Sequence, residues 1–534
     1  MTATIQIVLF LLAVLVLVAV IAQRLKTPPS ILLVVAGIAL ALVPGLPSVE
    51  LAPELVLLVL LPPLIYSAGV SMSWREFRFS LRLITLLAFG CVVFTACAVA
   101  AALHYLLGWQ WGVAFVLGAI VAPPDVVAPL AIARRLGLPR RLLVVLEGEG
   151  LANDATALIL YRFAVLSIST GAFSMTQAGG TFVLIVLGEI FFGIGVGWLS
   201  LRLRQWAQNP RVEITLSLMT PYLAYWIPEH IGGSGVLATI ATGLYVSWNG
   251  PRLIPAATRL QGIFFWDLII YLIEGFVFLI TGLQARTLIE KAHDFPVGEL
   301  LLVTAITAAI AILARFVWIY PAIYLPRWLI PPLARRDPSP PWQHAFILGF
   351  IGVRGVVSLA AALAIPLATT SGVPFPHRDM ILFATFGVIV ITLVGQGLTL
   401  PAVIRWLGVN RHRKAEHRRE QVAELAARNE VIRASRRHLK KLADERKLSA
   451  ETVALLNARH DHRERLVPRD LDEGFDLVRL TNDIRLELIA TERDFLHDLL
   501  RDGKITDESR RRLERDLDLE EATILARREG ETPL

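Results

Sequence analysis

The sequence predicts an all-α polytopic membrane protein with a soluble helical tail, and three observations carry that prediction. The 534 residues are 55% hydrophobic and only 18% charged, against about 25% charged residues in an ordinary soluble domain. The charge is also segregated. Residues 1–410 hold 24 Lys/Arg and 17 Asp/Glu, whereas the 124 residues of 411–534 hold 28 of each. Finally, the first part is a succession of apolar stretches near the length a membrane-crossing helix needs, about 20 residues. We therefore expect a transmembrane domain over 1–410 and a charged cytoplasmic tail over 411–534. Two cysteines, Cys91 and Cys97, exclude a disulfide scaffold and a cysteine-based metal site. Both lie in an apolar run and read as small buried hydrophobes. The net charge of +7 does not imply nucleic-acid binding, because membrane proteins concentrate Lys/Arg in their cytoplasmic loops.

Thirteen apolar stretches are expected to be helices: 4–22, 29–45, 51–70, 83–107, 110–133, 142–168, 179–201, 212–228, 233–248, 263–284, 299–324, 343–366 and 380–407. The first has no basic segment before it and no cleavage site after it, so it reads as a retained helix. The eighth and ninth are separated only by Glu229-His230-Ile231-Gly232, and fusing them gives the alternative count of twelve. Lys/Arg decide the orientation. Alternate loops, beginning with Arg24/Lys26 and including Arg75/Arg78/Arg82 and Arg134/Arg135/Arg140/Arg141, hold seventeen basic residues. The opposite loops hold three: Arg286, Lys291 and Arg378. Thirteen spans preserve this alternation, with the N-terminus outside and the tail in the cytoplasm.

Ionisable residues inside spans are costly and mark function by default. Arg162, Asp267 and Arg405 lie near span ends, where snorkelling accounts for them. Glu189 and Glu274 are mid-span and need partners. Asp125 sits in Ala122-Pro123-Pro124-Asp125-Val126-Val127-Ala128-Pro129, where three prolines in seven residues prevent a regular helix. Broken backbone at membrane depth is tolerated where it is buried in protein or lines a water-filled cavity, and transporters use such breaks to hold ions. The next stretch contains Glu147-Gly148-Glu149-Gly150-Leu151-Ala152-Asn153-Asp154. Glu149 and Asn153 share a helix face, and Asp154 points about 100° away from Asn153. Carboxylates, amides and carbonyls suit a hard monovalent cation, and burial raises a carboxylate's proton affinity so that proton and cation compete. Arg354, in Gly352-Val353-Arg354-Gly355-Val356-Val357-Ser358-Leu359, needs a buried acid, and Glu149 is the best candidate for a structural pair.

These residues resemble a known family, the monovalent cation/proton antiporters of the bacterial NhaP and animal sodium/proton exchanger type. Four motifs match in order over roughly 1–410: Leu61-Pro62-Pro63-Leu64-Ile65-Tyr66, Pro124-Asp125, Glu149 with Asn153-Asp154, and the Gly352–Leu359 element. The resemblance implies a fold with inverted repeats, a dimerisation domain and a mobile core containing two crossed, broken helices. It also implies roles. Asp154 is the principal ion- and proton-binding carboxylate, assisted by Asp125 and by Pro124 in the adjacent backbone. Asn153 marks the electroneutral branch, and Glu149 pairs with Arg354. Three positions depart from the family pattern: Ser67 where many relatives have Glu, Gly150 where many have Ser, and Pro124 where Thr is frequent. Glu274 stands where many relatives have an amide; it supplies a proton site or pairs with Arg315, and we favour the pair.

The tail shows helical apolar stripes at Leu425, Ile432, Leu439, Leu442 and at Leu477, Ile484, Leu488, Phe495, Leu499. Its basic start suits an anionic lipid surface, and a regulatory role is expected. His460-Asp461-His462 reads as a solvated loop rather than a metal site. No nucleotide-binding, zinc or catalytic-triad pattern occurs, so we expect no enzyme activity and no cofactor. The expected function is exchange of Na+ for H+ across the cell membrane by a homodimer, with K+ as the alternative cation. A channel and a membrane sensor are the competing classes. The sequence shows no repeated selectivity-filter segment and no phosphotransfer signature.

Overall fold

The computed structural model describes residues 2–44, 51–170, 175–369, 372–409, 413–465, 474–502 and 504–531. It is built of helices, and the chain divides into two compact units, 1–410 and 411–534. In the first unit the helices are α1 (Thr2–Leu25), α2 (Pro29–Ala41), α3 (Leu61–Ser71), α4 (Trp74–Thr85), α5 (Val92–Leu107), α6 (Trp111–Val121), α7 (Val127–Arg135), α8 (Arg140–Thr170), α9 (Met175–Ala207), α10 (Pro210–His230), α11 (Val236–Leu253), α12 (Ala256–Lys291), α13 (Val297–Leu329), α14 (Pro331–Arg336), α15 (Trp342–Phe350), α16 (Val356–Leu363), α17 (Arg378–Val390) and α18 (Gly397–Leu407). Wider π-helical turns precede α3 and join α4 to α5 and α17 to α18.

Among the described residues, each of the thirteen apolar stretches overlaps a helix or two half-helices. Among the described residues, seven helices are individually long and apolar enough to cross a bilayer, and α2, Leu55–Ser71 and α6 are shorter apolar helices. Local chemistry places the boundaries. Pro29 and Pro210 occupy first turns, where a missing N–H costs nothing. Asn209 caps α10 by accepting from Arg211 N at 3.0 Å. Gly108 (φ 70°) and Gly408 (φ 61°) end α5 and α18 in the left-handed conformation that glycine adopts without strain.

The helices pack as two groups. One contains α1–α3 and α9–α12; the other contains α4–α8, α13 and α15–α18. With no hydrophobic drive between helices in lipid, close backbone approach at small residues does much of the holding. A Cβ on Gly282 of α12 would lie 2.9 Å from Gly37 Cα of α2, so neither position admits a side chain. Large apolar side chains such as Leu184, Phe191 and Phe264 are exposed on the outer faces of α9 and α12, as a hydrocarbon solvent allows. Cys91 is buried as expected, but Cys97 is exposed.

Glu189, expected to need a partner, and Arg162, expected to snorkel, are both held by partners. Glu189 is buried and accepts from the backbone N–H of Ser234, Gly235 and Leu237 at 2.5, 3.2 and 3.2 Å. It thereby caps the α11 N-terminus, where unpaired amides and the helix dipole favour an anion. Arg162 of α8 pairs with Glu229 and donates to the Gly233 carbonyl, tying α8 to the α10–α11 turn instead of snorkelling.

The tail unit contains α19 (Arg413–Arg446), α20 (Ala450–Arg465), α21 (Gly474–Arg501) and α22 (Asp507–Glu531). α19 packs on α20 and α21 on α22. The first apolar stripe behaves as expected, with Ile432 and Leu439 buried. The second does not. Ile484, Leu488 and Phe495 are exposed, and the buried residues of α21 among those described are Asn482, Ile489 and Leu496. The helix carries apolar residues on two faces, and ion pairs from Arg485 and Arg493 to α22 select the second of them. The Leu477 side chain lies outside the described residues, and Leu499 is half-buried. Two hydrogen bonds from Arg485, 2.7 and 2.8 Å, hold the Glu520 carboxyl below the usual carboxylate range. The pair is complete above that range and is lost as pH falls through the lowered value. His460 and Asp461 lie on helix α20, not in a loop, and Asp461 pairs with Arg436 at 2.5 Å.

Candidate cation site

The site is built where two broken helices meet. Pro123 and Pro124 end α6, and the chain restarts as α7 only at Val127. Asp125 sits in the gap. Its Oδ1 accepts from Val127 N at 2.9 Å, and its own N–H donates to Val353 O at 2.6 Å. Val353 belongs to the second gap, residues 351–355 between α15 and α16. That gap contains no proline; a Cβ on Gly355 would collide with the Asp125 side chain, so glycine there is what lets the two breaks touch.

The free backbone groups of the breaks are satisfied from inside the protein. Arg354 is buried. Its Nε donates to Val121 O at 2.7 Å, its Nη1 to Gly352 O, and its Nη2 to Ala311 O at 3.4 Å. Its own N–H donates to Thr392 Oγ1 at 2.9 Å. Asn153, also buried, donates from Nδ2 to Pro124 O at 2.7 Å, while its Oδ1 is buried with no hydrogen-bond partner among the described residues. These bonds replace those a continuous helix would make.

Two expected pairs are corrected here. Glu149 does not pair with Arg354: its Oε1 and Oε2 accept from Arg315 Nη1 and Nη2, the second bond being 2.9 Å, and both side chains are almost completely buried. Arg315 also donates from Nε to Leu348 O at 2.9 Å, so one guanidinium joins α13, α8 and α15. Arg354 goes to carbonyls because it sits in the broken segment, where unpaired C=O groups compete for its donors. With Arg315 committed to Glu149, the expected Glu274–Arg315 pair is also absent.

A cavity of about 450 Å3 reaches these groups. Its lining includes Ser67, Pro124, Asp125, Asp154 and Glu274, so the structure gathers five of the singled-out positions around one space. Asn153, Glu149, Arg315 and Arg354 are not in the lining; they sit behind it. Asp125, Asp154 and Glu274 are half-buried. Arg134 and Glu147, also in the lining, pair at 2.6 Å. Among the described residues no three His, Cys, Asp or Glu side chains converge as a metal-holding group, and the three carboxylates are spread around an open space. Gly150 also lines the cavity, and Val126 side-chain atoms fill the place its Cβ would take. Sequence reasoning missed Thr392 and the Arg162–Glu229 pair. A threonine inside an apolar run carries no distinguishing pattern, and Arg162 near a span end had a sufficient explanation.

Residues 10–406 match the family described as sodium/hydrogen exchanger, transmembrane. The chain belongs to this family. Sodium/hydrogen exchangers are transporters rather than enzymes, and the multi-pass helical body fits that assignment. The chain is 34% identical over 96% of its length to a protein named as an uncharacterized Na(+)/H(+) exchanger of Mycobacterium tuberculosis, covering 95% of it. It is 31% identical over 90% of its length to the sodium, potassium, lithium and rubidium/H(+) antiporter of Bacillus pumilus, covering 71% of that protein. The fold matches the sodium proton antiporter MjNhaP1 of Methanocaldococcus jannaschii with a TM-score of 0.60 and 18% identity, covering 75% of this chain and 98% of that one.

Proposed function

We propose that this exchanger moves Na+ against H+ one for one across the cell membrane, the two ions competing for Asp154 as the site opens alternately to each side. The observation that carries this reading is the contrast between neighbouring acids on α8. Glu149 is buried and neutralised by Arg315, whereas Asp154, five residues on, faces the cavity beside Asp125 and the broken backbone. Pro124 O and the orphaned Asn153 Oδ1 add neutral oxygens to the same neighbourhood. Helix ends in the lining, Pro28-Pro29, Ser71 and Arg134, border loops from the basic set only. This supports a cavity open to the cytoplasm, with the N-terminus outside and the tail inside. The name of the Bacillus pumilus relative, which covers several alkali cations, favours K+ as a second cation. As in the family fold, a homodimer is the proposed assembly.

The deciding experiment is dissipation of an imposed pH gradient in proteoliposomes, with Na+, K+ and Li+ added singly. Cation-dependent dissipation supports exchange. Its absence with every cation, in correctly inserted protein, overturns it. Asn153 cannot carry a proton, so one charge moves each way and the rate is expected to be unchanged when valinomycin and K+ gradients impose different membrane voltages on Na+-driven exchange. A rate that follows voltage contradicts the one-for-one stoichiometry.

The tail is proposed to tune exchange rather than perform it. Its basic segment from Arg411 to Lys441 follows the last apolar helix, and each basic group near an anionic leaflet contributes about 1 kcal/mol, less with screening. Truncation after residue 410 is expected to retain exchange with a shifted rate or pH profile. An unchanged profile removes the regulatory role, and loss of exchange by a stably inserted truncation makes the tail essential.

A further inference from the structure

Four carboxylates line the cavity, and the three that have no ion-pair partner among the described residues come from different helix groups. Asp125 and Asp154 belong to the group containing α6, α7 and α8, whereas Glu274 belongs to α12, which packs on α1, α2 and α3. Glu147, the other acid in the lining, is neutralised by Arg134. Glu149, Glu189 and Glu229 each have a guanidinium or amide partner. Glu274 is half-buried, has no hydrogen-bond or ion-pair partner among the described residues, and is not paired with Arg315, which Glu149 holds. A carboxylate inside a span persists where it meets a cation, a proton or water in a cavity. Its surroundings in the cavity are otherwise apolar or neutral, among them Ile270, Phe278 and, on α3, Ser67.

We infer that Glu274 is a second cation-binding carboxylate of the cavity, presented by the helix group opposite Asp154, and that it sets the apparent affinity for the transported cation. The inference rests on the exchange reading above and adds a residue to it. Glu274 is a separate station and not a third ligand at Asp154, because no three such groups converge on one point among the described residues. A cation entering from water meets a negative wall on both sides, and the carboxylate on α12 holds it near the site without immobilising it there.

The test uses the full chain in proteoliposomes, with initial exchange rates measured against Na+, K+ and Li+ concentration. Glu274→Gln keeps the side-chain shape and removes the charge. The cation KM is expected to rise about tenfold, more than the maximal rate falls, which is the signature of lost binding. Glu274→Asp is expected to stay within about threefold of the parent KM, because the charge remains. Ser67→Glu in the Glu274→Gln background returns an acid to the same cavity and is expected to recover most of the affinity. An unchanged KM in Glu274→Gln overturns the inference. So does a KM that stays raised both in Glu274→Asp and after Ser67→Glu is added to Glu274→Gln, because that marks a packing role. Failure of the exchange reading itself is seen separately, as absence of cation-dependent dissipation by the parent protein.

Discussion

Asp154→Asn is expected to abolish cation/proton exchange while leaving the protein folded and inserted. The asparagine has the shape of the aspartate, and Asp154 makes no hydrogen bond or ion pair within the described residues that its removal would break. What is lost is charge. A unit charge about 4 Å from a cation is worth about 4 kcal/mol at an effective dielectric near 20, which corresponds to roughly a thousandfold in affinity. An amide also takes up no proton near neutral pH, so under the proposed competition at Asp154 the proton loses its site together with the cation. Exchange in proteoliposomes is therefore expected at the level of protein-free vesicles, with elution and thermal stability close to the parent's. Parent-like exchange by this variant overturns the assignment of Asp154. A collapse in stability instead assigns the residue a packing role.

How much of this was legible in the sequence depended on whether the physics was local. Pro123-Pro124 had to break a helix wherever the chain went, so the gap around Asp125 could be read from three prolines. The second gap has no proline. It depends on Gly355 admitting Asp125 and on Arg354 satisfying the Val121 carbonyl, which are contacts between segments far apart in the chain. The acid–base pairing failed for a related reason. Sequence shows which charges lie inside spans, but α13 and the gap before α16 offer Glu149 two arginines, and only the packing of α13 against α15 brings Arg315 to it. Glu189 likewise looked unpartnered because its partners are backbone amides at the start of α11, which no side-chain pattern reveals. In the tail, α21 is apolar on two faces, and the choice between them is made by ion pairs with α22.

Removing either partner of the Glu149–Arg315 pair is expected to be among the most destabilising single changes in the membrane body. Both side chains are almost fully buried, so Glu149→Gln leaves an unpaired guanidinium and Arg315→Gln leaves an unpaired carboxylate. Breaking a buried pair from one side costs about 3–5 kcal/mol, because the remaining charge is uncompensated. The double change removes both charges together and is expected to cost less than the sum of the single changes, with a coupling energy of about 0.5–3 kcal/mol for groups in contact. Arg315→Gln also loses the Nε bond to Leu348 O, so the arginine side of the cycle should be the costlier. The Glu149–Arg354 combination is the control. Arg354 donates to carbonyls rather than to Glu149, so that cycle is expected to show a smaller coupling than the Glu149–Arg315 cycle. Thermal unfolding of the detergent-solubilised protein, compared at one detergent concentration, gives both cycles. Strong coupling of Glu149 to Arg354 and none to Arg315 contradicts the pairing. The opposite pattern identifies Arg315 as the residue that silences Glu149 and leaves Asp154 as the charge on α8 available to the ion.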